Sequence, residues 1–275
     1  MKPIQRILQT ILLFGVIQNL SAGEDYGARF RKQMDKRDYR KAGEILDQWG
    51  KADAQSLDLL AAEGNFHHVQ AHLMDKDEDF DREARLAEKD YESYLERIPN
   101  RLDLWLALGD LDLDLGDDEA LLKLAEKITQ PPPPGGWTWE PGTDPLEGVK
   151  TLPDRMEDWG WGLIREETDA SDEWARRLAL LTAQKFPAHA GAFRVMGRYW
   201  IERGNWDKAE TVLTAAYDRD DEDSETLLDL GQSLWELEKD KEALACYERV
   251  LELNNDPDAV CRARESLQKI QDDGE

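Results

Sequence analysis

The sequence predicts an all-α fold of stacked helical hairpins, and three observations carry that expectation. The first is a period of 34 residues, which separates Gly197 from Gly231 and Ala209 from Ala243. The second is apolar spacing by threes and fours within each period, as in helices that bury one face. The third is composition: hydrophobic residues make up 40% and charged residues 35% of 275. A compact globule of that length is usually more apolar, whereas a thin stack of repeats keeps more of its surface wet.

The repeat is clearest near the C-terminus. Phe193-Arg-Val-Met196-Gly197 leads to Trp200, then Gly204-Asn205-Trp206, Ala209 and Leu213. Leu227-Leu-Asp-Leu230-Gly231 leads to Leu234, Ala243 and Tyr247. Each segment then enters a helix-ending run, Asp218 to Asp223 and Asn254 to Pro257. This order of large apolar residue, apolar residue, Gly, and Ala followed by an aromatic or Leu resembles the tetratricopeptide repeat. The resemblance implies paired antiparallel helices stacked as a right-handed α-solenoid, with small residues permitting close approach and large ones filling the gaps.

On that basis the C-terminal repeats are expected at 156–189, 190–223 and 224–257, with a capping helix at 258–271. Ala175, Ala179 and Phe186-Pro187 fit the first of these. Its first helix holds Trp159 and Trp161 but also Gly160 and Gly162, which weaken a helix interior. Degenerate repeats are expected over 23–128. There Trp105-Leu-Ala-Leu108-Gly109 fits a first helix, while Ala87, Tyr91, Leu95 and Pro99 fit a second helix and its stop. Tyr39, Ala42, Leu46 and Trp49 fit another second helix, and Leu57 to Met74 is helical in pattern with an open register. The stretch 129–155 is a linker or insertion. Pro131 to Pro134 exclude a helix, Gly135-Gly136 follow, and the irregular sequence runs to about Pro153. Because it carries Trp137 and Trp139, we expect it to pack on the repeats, with a further reading as part of a binding surface.

Residues 1–22 read as an export signal. Lys2 and Arg6 flank an apolar run from Ile7 to Ile17, and Leu20-Ser21-Ala22 offers a small-residue cleavage edge. An uncleaved anchor is the rival. The expected location is periplasmic or extracellular, without membrane insertion once the signal is removed. Sixty acidic residues against 35 basic ones give a net charge of −25. That charge disfavours phosphate backbones and anionic membranes. It favours a basic partner or divalent cations, though it also serves simply to solvate the chain.

Chemistry-bearing motifs are sparse. His68 and His72 are four apart and share a helix face, a spacing that can hold a metal. The stretch lacks the Glu of zinc proteases and any evident third ligand, so the expectation is two partly exposed surface histidines and no metal site. Asp75, Asp77, Asp79, Asp81 and Glu83 alternate like a calcium loop, but Phe80 stands at its Gly and Leu86 at its closing Glu. Asp110, Asp112 and Asp114 alternate as well, with the Gly displaced to Gly116. The run 218–223 has no Gly at all. No phosphate loop and no Gly-x-Ser-x-Gly elbow occurs, so we expect neither enzyme activity nor a cofactor. Cys246 and Cys261 are either a disulfide of an exported protein or two separate thiols.

The resemblance further implies a protein- or peptide-binding groove on the inward face of the first helices. That face maps to Leu106, Asp110 and Leu113, and to Arg194, Arg198, Ile201, Leu228, Gln232 and Trp235. Arg194 and Arg198 either clamp a ligand carboxylate or pair with neighbouring acids. Trp235 is either a binding anchor or packing between repeats. An acidic cation-responsive module is the alternative function.

Overall fold

The computed structural model describes residues 26–74, 76–139, 151–166 and 168–273. The export signal at 1–22, Asp75 of the acidic run and residues 140–150 of the Pro/Gly/Trp segment lie outside them. Among the described residues there are thirteen helices and no strand beyond one isolated bridge. None of these helices is long and apolar enough to cross a membrane. The chain divides into two compact units, residues 1–151 and 152–275.

The first unit contains three helical hairpins. They are α1 (Tyr26–Asp35) with α2 (Tyr39–Ala52), α3 (Leu57–Leu73) with α4 (Asp77–Leu95), and α5 (Leu102–Asp114) with α6 (Asp118–Ile128). Side-chain caps start several of these helices. Ser56 accepts from Leu59 N and Asp117 from Ala120 N, satisfying amides that the first helical turn leaves unpaired. Phe30, Met34, Ile45, Leu46, Trp49, Leu59 and Val69 form one core around the first three helices. Helix α5, LDLWLALGDLDLD, is apolar on most of its circumference and is buried accordingly; Asp110 and Asp114 are its only half-buried residues. After α6, Thr138 returns to the start of α5: its N–H donates to Asn100 O (2.7 Å) and its carbonyl accepts from Leu102 N–H (2.9 Å). The Pro/Gly/Trp segment is therefore tied to its own unit as far as Trp139, with Trp137 half-buried and Trp139 exposed.

The second unit holds α7 (Leu152–Ile164) with α8 (Asp169–Lys185), α9 (Gly191–Glu202) with α10 (Trp206–Tyr217), α11 (Ser224–Glu236) with α12 (Asp240–Leu253), and the final helix α13 (Pro257–Asp273). Helix α7 begins four residues before the boundary expected from the repeat. Pro153 sits at its second position, where a missing N–H is harmless. Gly160 and Gly162 do not break α7, because its face packs closely: a Cβ on Gly160 would lie 3.1 Å from Val195 Cγ1. The 34-residue period has a direct physical origin. Gly197 lies under Leu213 and Gly231 under Tyr247, where a Cβ would come within 2.4 Å and 2.8 Å of those side chains. In α9 and α11 the first helix presses its glycine against the large residue 16 positions later. Leu213, Leu227, Leu234, Tyr247, Val250, Ala259 and Ala263 continue the core through to α13.

Candidate functional site

The first unit carries an open cavity of about 380 Å³ between α4, α5 and α6. Its apolar floor comes from Trp105, Leu108 and Leu124. The Trp105 indole N–H donates to Pro99 O at 2.9 Å, which fixes the ring, and Lys127 Nζ stands 4.1 Å from its centre. Successive turns of α4 and its end bring Glu88, Glu92 and Glu96 to the wall, and Asp112 joins them from α5. Arg85 pairs with Glu88 at 2.8 Å, and Lys123 with Glu119 at 2.6 Å. Glu92 and Glu96 carry no ion pair among the described residues. Asp112 is buried, and its carboxyl is pushed up to about 7. Loss of hydration is the main cause, reinforced by the charges of Glu88, Asp117 and Glu92 and opposed by Arg85. Burial and the neighbouring Glu88 and Glu96 raise Glu92 as well.

The predicted groove positions separate into three groups. Leu106, Leu113, Ile201 and Leu228 are all under 9% exposed, so they pack the core and do not line an open groove. Asp110, Gln232 and Trp235 are half-buried and reachable. Lys269 Nζ of α13 lies 4.2 Å from the Trp235 ring centre, which leaves that ring only partly free. Both arginines already have acidic partners. Arg194 bonds Glu157 and reaches Asp223 at 2.9 Å. Arg198 pairs with Glu202 at 2.6 Å and stands 3.7 Å from Asp229.

Glu157 of α7 is the centre of a buried polar cluster in the second unit. It accepts hydrogen bonds from Trp161 Nε1 (3.1 Å), from Arg194 and from His189 (3.1 Å). Burial alone would raise its pKa, but the His189 bond, the Arg194 charge and the Trp161 bond outweigh it and hold the carboxyl below its ordinary value. The carboxylate fills the space that a Cβ on Gly191 would need.

The histidine expectation needs correction. His68 is not a surface residue: it is 1% exposed, and burial first, then the charge of His72, pushes its pKa down to about 3. Asp114, from the far end of α5, lies beside His72. No local pattern signals that pairing, because 42 residues separate the two. The calcium-loop patterns also dissolve into helices: Asp77, Asp79 and Asp81 lie in the first turns of α4, and Asp110, Asp112 and Asp114 diverge around α5. Cys246 is half-buried and Cys261 exposed, and both are free thiols, so no disulfide joins α12 to α13. Burial raises Cys246 to about 11.

Paired antiparallel helices with a glycine-to-large-residue contact every 34 residues define a helical-repeat protein. Residues 182–265, which hold both Gly197 and Gly231, match the tetratricopeptide repeat family. The structure is similar to the C-terminal part of a TPR repeat-containing protein from Cytophaga hutchinsonii, with a TM-score of 0.51 at 12% identity, covering 82% of this chain and 78% of that one. It is also similar to a tetratricopeptide repeat protein from Parabacteroides merdae, with a TM-score of 0.48 at 14% identity, covering 90% and 91%. At such identities the likeness concerns the fold. No curated protein matches the chain.

Proposed function

We propose that the protein is an exported, non-enzymatic scaffold that holds basic segments of a partner protein. The single observation that carries this reading is the cavity of the first unit, where Glu92 and Glu96 carry no ion pair above an aromatic and aliphatic floor. A Lys or Arg side chain suits such a place, because its stem lies on apolar surface while its head meets the carboxylates. The net charge of −25 steers basic partners toward the chain. Tetratricopeptide repeats are protein-binding modules, and Asp110, Gln232 and Trp235 offer further contact on the inward faces. Export rests on the pattern of residues 1–22.

The test is a set of Lys- and Arg-bearing peptides titrated against residues 23–275 and against the double substitution Glu92→Lys with Glu96→Lys. Both positions are at the cavity rim, so the fold should survive, as judged by unchanged circular dichroism. Binding should weaken about tenfold or more, which is about 1.4 kcal/mol. Undiminished binding by the variant would remove the cavity from the reading.

A further inference from the structure

We propose that His68, His72 and Asp114 form a binding site for a divalent transition-metal ion of the zinc class. His68 and His72 lie one turn apart on α3, and Asp114 closes α5. One nitrogen of each histidine and one carboxylate oxygen of Asp114 lie within 4.8 Å of one another. His72 Nε2 and Asp114 Oδ2 are 3.4 Å apart. Two ligands of a tetrahedral ion with bonds of about 2.05 Å are about 3.3 Å apart, so that edge of the site is already set. The His68 donor stands within 4.8 Å of both and completes the set.

The hydrogen bonding around His68 supplies an independent argument. The Tyr91 hydroxyl donates its one proton to Asn65 Oδ1 at 2.7 Å. Toward His68 Nδ1, 3.3 Å away, that oxygen can therefore only accept. The proton of His68 thus sits on Nδ1, and Nε2 presents a lone pair. That Nε2 is buried and has no hydrogen-bond partner. A buried acceptor without a donor is costly, and a metal ion answers it. The arrangement is also the usual one for a metal-binding imidazole, in which the second nitrogen is held by a hydrogen bond that fixes the tautomer.

The donor set selects the ion. Two imidazoles and one carboxylate suit zinc and its neighbours, whereas calcium asks for six to eight oxygens. Three protein ligands leave a fourth position for water. The His72 and Asp114 side chains are 16% and 20% exposed, which gives the ion a path from solvent. Once bound, it would tie α3 to the end of α5. The other such histidine–carboxylate group among the described residues, Asp154, Glu157 and His189, does not compete as a candidate. There the Glu157 oxygens already accept from Trp161, His189 and Arg194.

The experiment uses the full chain stripped with a chelator, titrated with Zn²⁺ by calorimetry and with Co²⁺ by visible absorption. The wild type should bind one equivalent tightly, show the intense absorption of four-coordinate Co²⁺, and melt at higher temperature with Zn²⁺. His72→Ala and Asp114→Asn, chosen because both side chains are partly exposed, should keep the helical circular dichroism. Each should lose affinity about tenfold or more. Excess Ca²⁺ should not displace the ion. Equal Zn²⁺ affinity in His72→Ala, or displacement by Ca²⁺, would show general condensation on an acidic chain and overturn the proposal. So would failure of the wild type to bind.

Discussion

Asp112→Asn should reverse part of the pH dependence of the first unit's stability. Asp112 is 3% exposed and its carboxyl is pushed from 3.8 to about 7 in the folded chain. Because the folded value is the higher one, the folded state holds its proton where the unfolded state has lost it. The stabilisation is therefore complete below about pH 3.8, fades as pH rises, and is gone above about 7. At about 1.4 kcal/mol per pH unit, the gap corresponds to about 4 kcal/mol, of which about 2.5 falls between pH 5 and 8. An Asn keeps the shape and stays neutral at every pH. Urea unfolding of both proteins at pH 5, 6, 7 and 8 should show the variant gaining on the wild type as pH rises. Titrating groups away from Asp112 are common to the two proteins and cancel in the difference, while Glu88, Glu92 and Asp117, which feel its charge, follow it. Parallel stability curves would refute the reasoning, since they would mean that the Asp112 charge is solvated in the fold.

Further outcomes follow from the packing and the buried charges. Gly197→Ala places a methyl 2.4 Å from Leu213 Cδ2, on a side chain with no exposed surface, and should cost about 1–3 kcal/mol. Gly43→Ala, whose methyl would meet Phe66 at an ordinary 3.4 Å, should instead be neutral or add up to about 1 kcal/mol; thermal melts compare the two. Glu157→Gln strips one of the two charges that Arg194 faces and weakens the His189 contact, and should cost about 1–3 kcal/mol by urea unfolding near neutral pH. The Glu157 carboxyl is held below its ordinary value, so its contribution is present above about pH 4.5 and fades as pH falls through the folded value. The deficit of the variant should shrink in acid accordingly.

The repeat was legible because it is a contact written into the chain at a fixed interval. Gly197 with Leu213 and Gly231 with Tyr247 are each 16 apart, so the sequence states the packing directly. In the first unit α3 and α4 run to 17 and 19 residues, longer than the helices of the clear repeats, and the register fades while the apolar spacing survives. The sites were harder to see. A helical wheel places Leu106 and Leu228 on an inward face but says nothing of what buries them, and both are core. The alternating aspartates of α5 look like one feature and are three: Asp110 is half-buried, Asp112 is at the cavity wall and Asp114 is beside His72. Position on a helix is a local property, whereas these roles depend on which hairpin packs alongside.

The chain of charges from Glu157 through Arg194 to Asp223 has a consequence for how the second unit comes apart. Glu157 belongs to α7, Arg194 to α9, and Asp223 caps α11 by accepting from Thr226 N at 2.9 Å. In a stack coupled only by neighbouring apolar faces, an end repeat can fray while the rest stays folded. Here the loss of α7 removes one of the two carboxylates around Arg194, and the loss of α11 removes the other. Three successive repeats thus share one ion network, so fraying at either end is felt at the same guanidinium, and the unit should open more cooperatively than apolar stacking alone would make it.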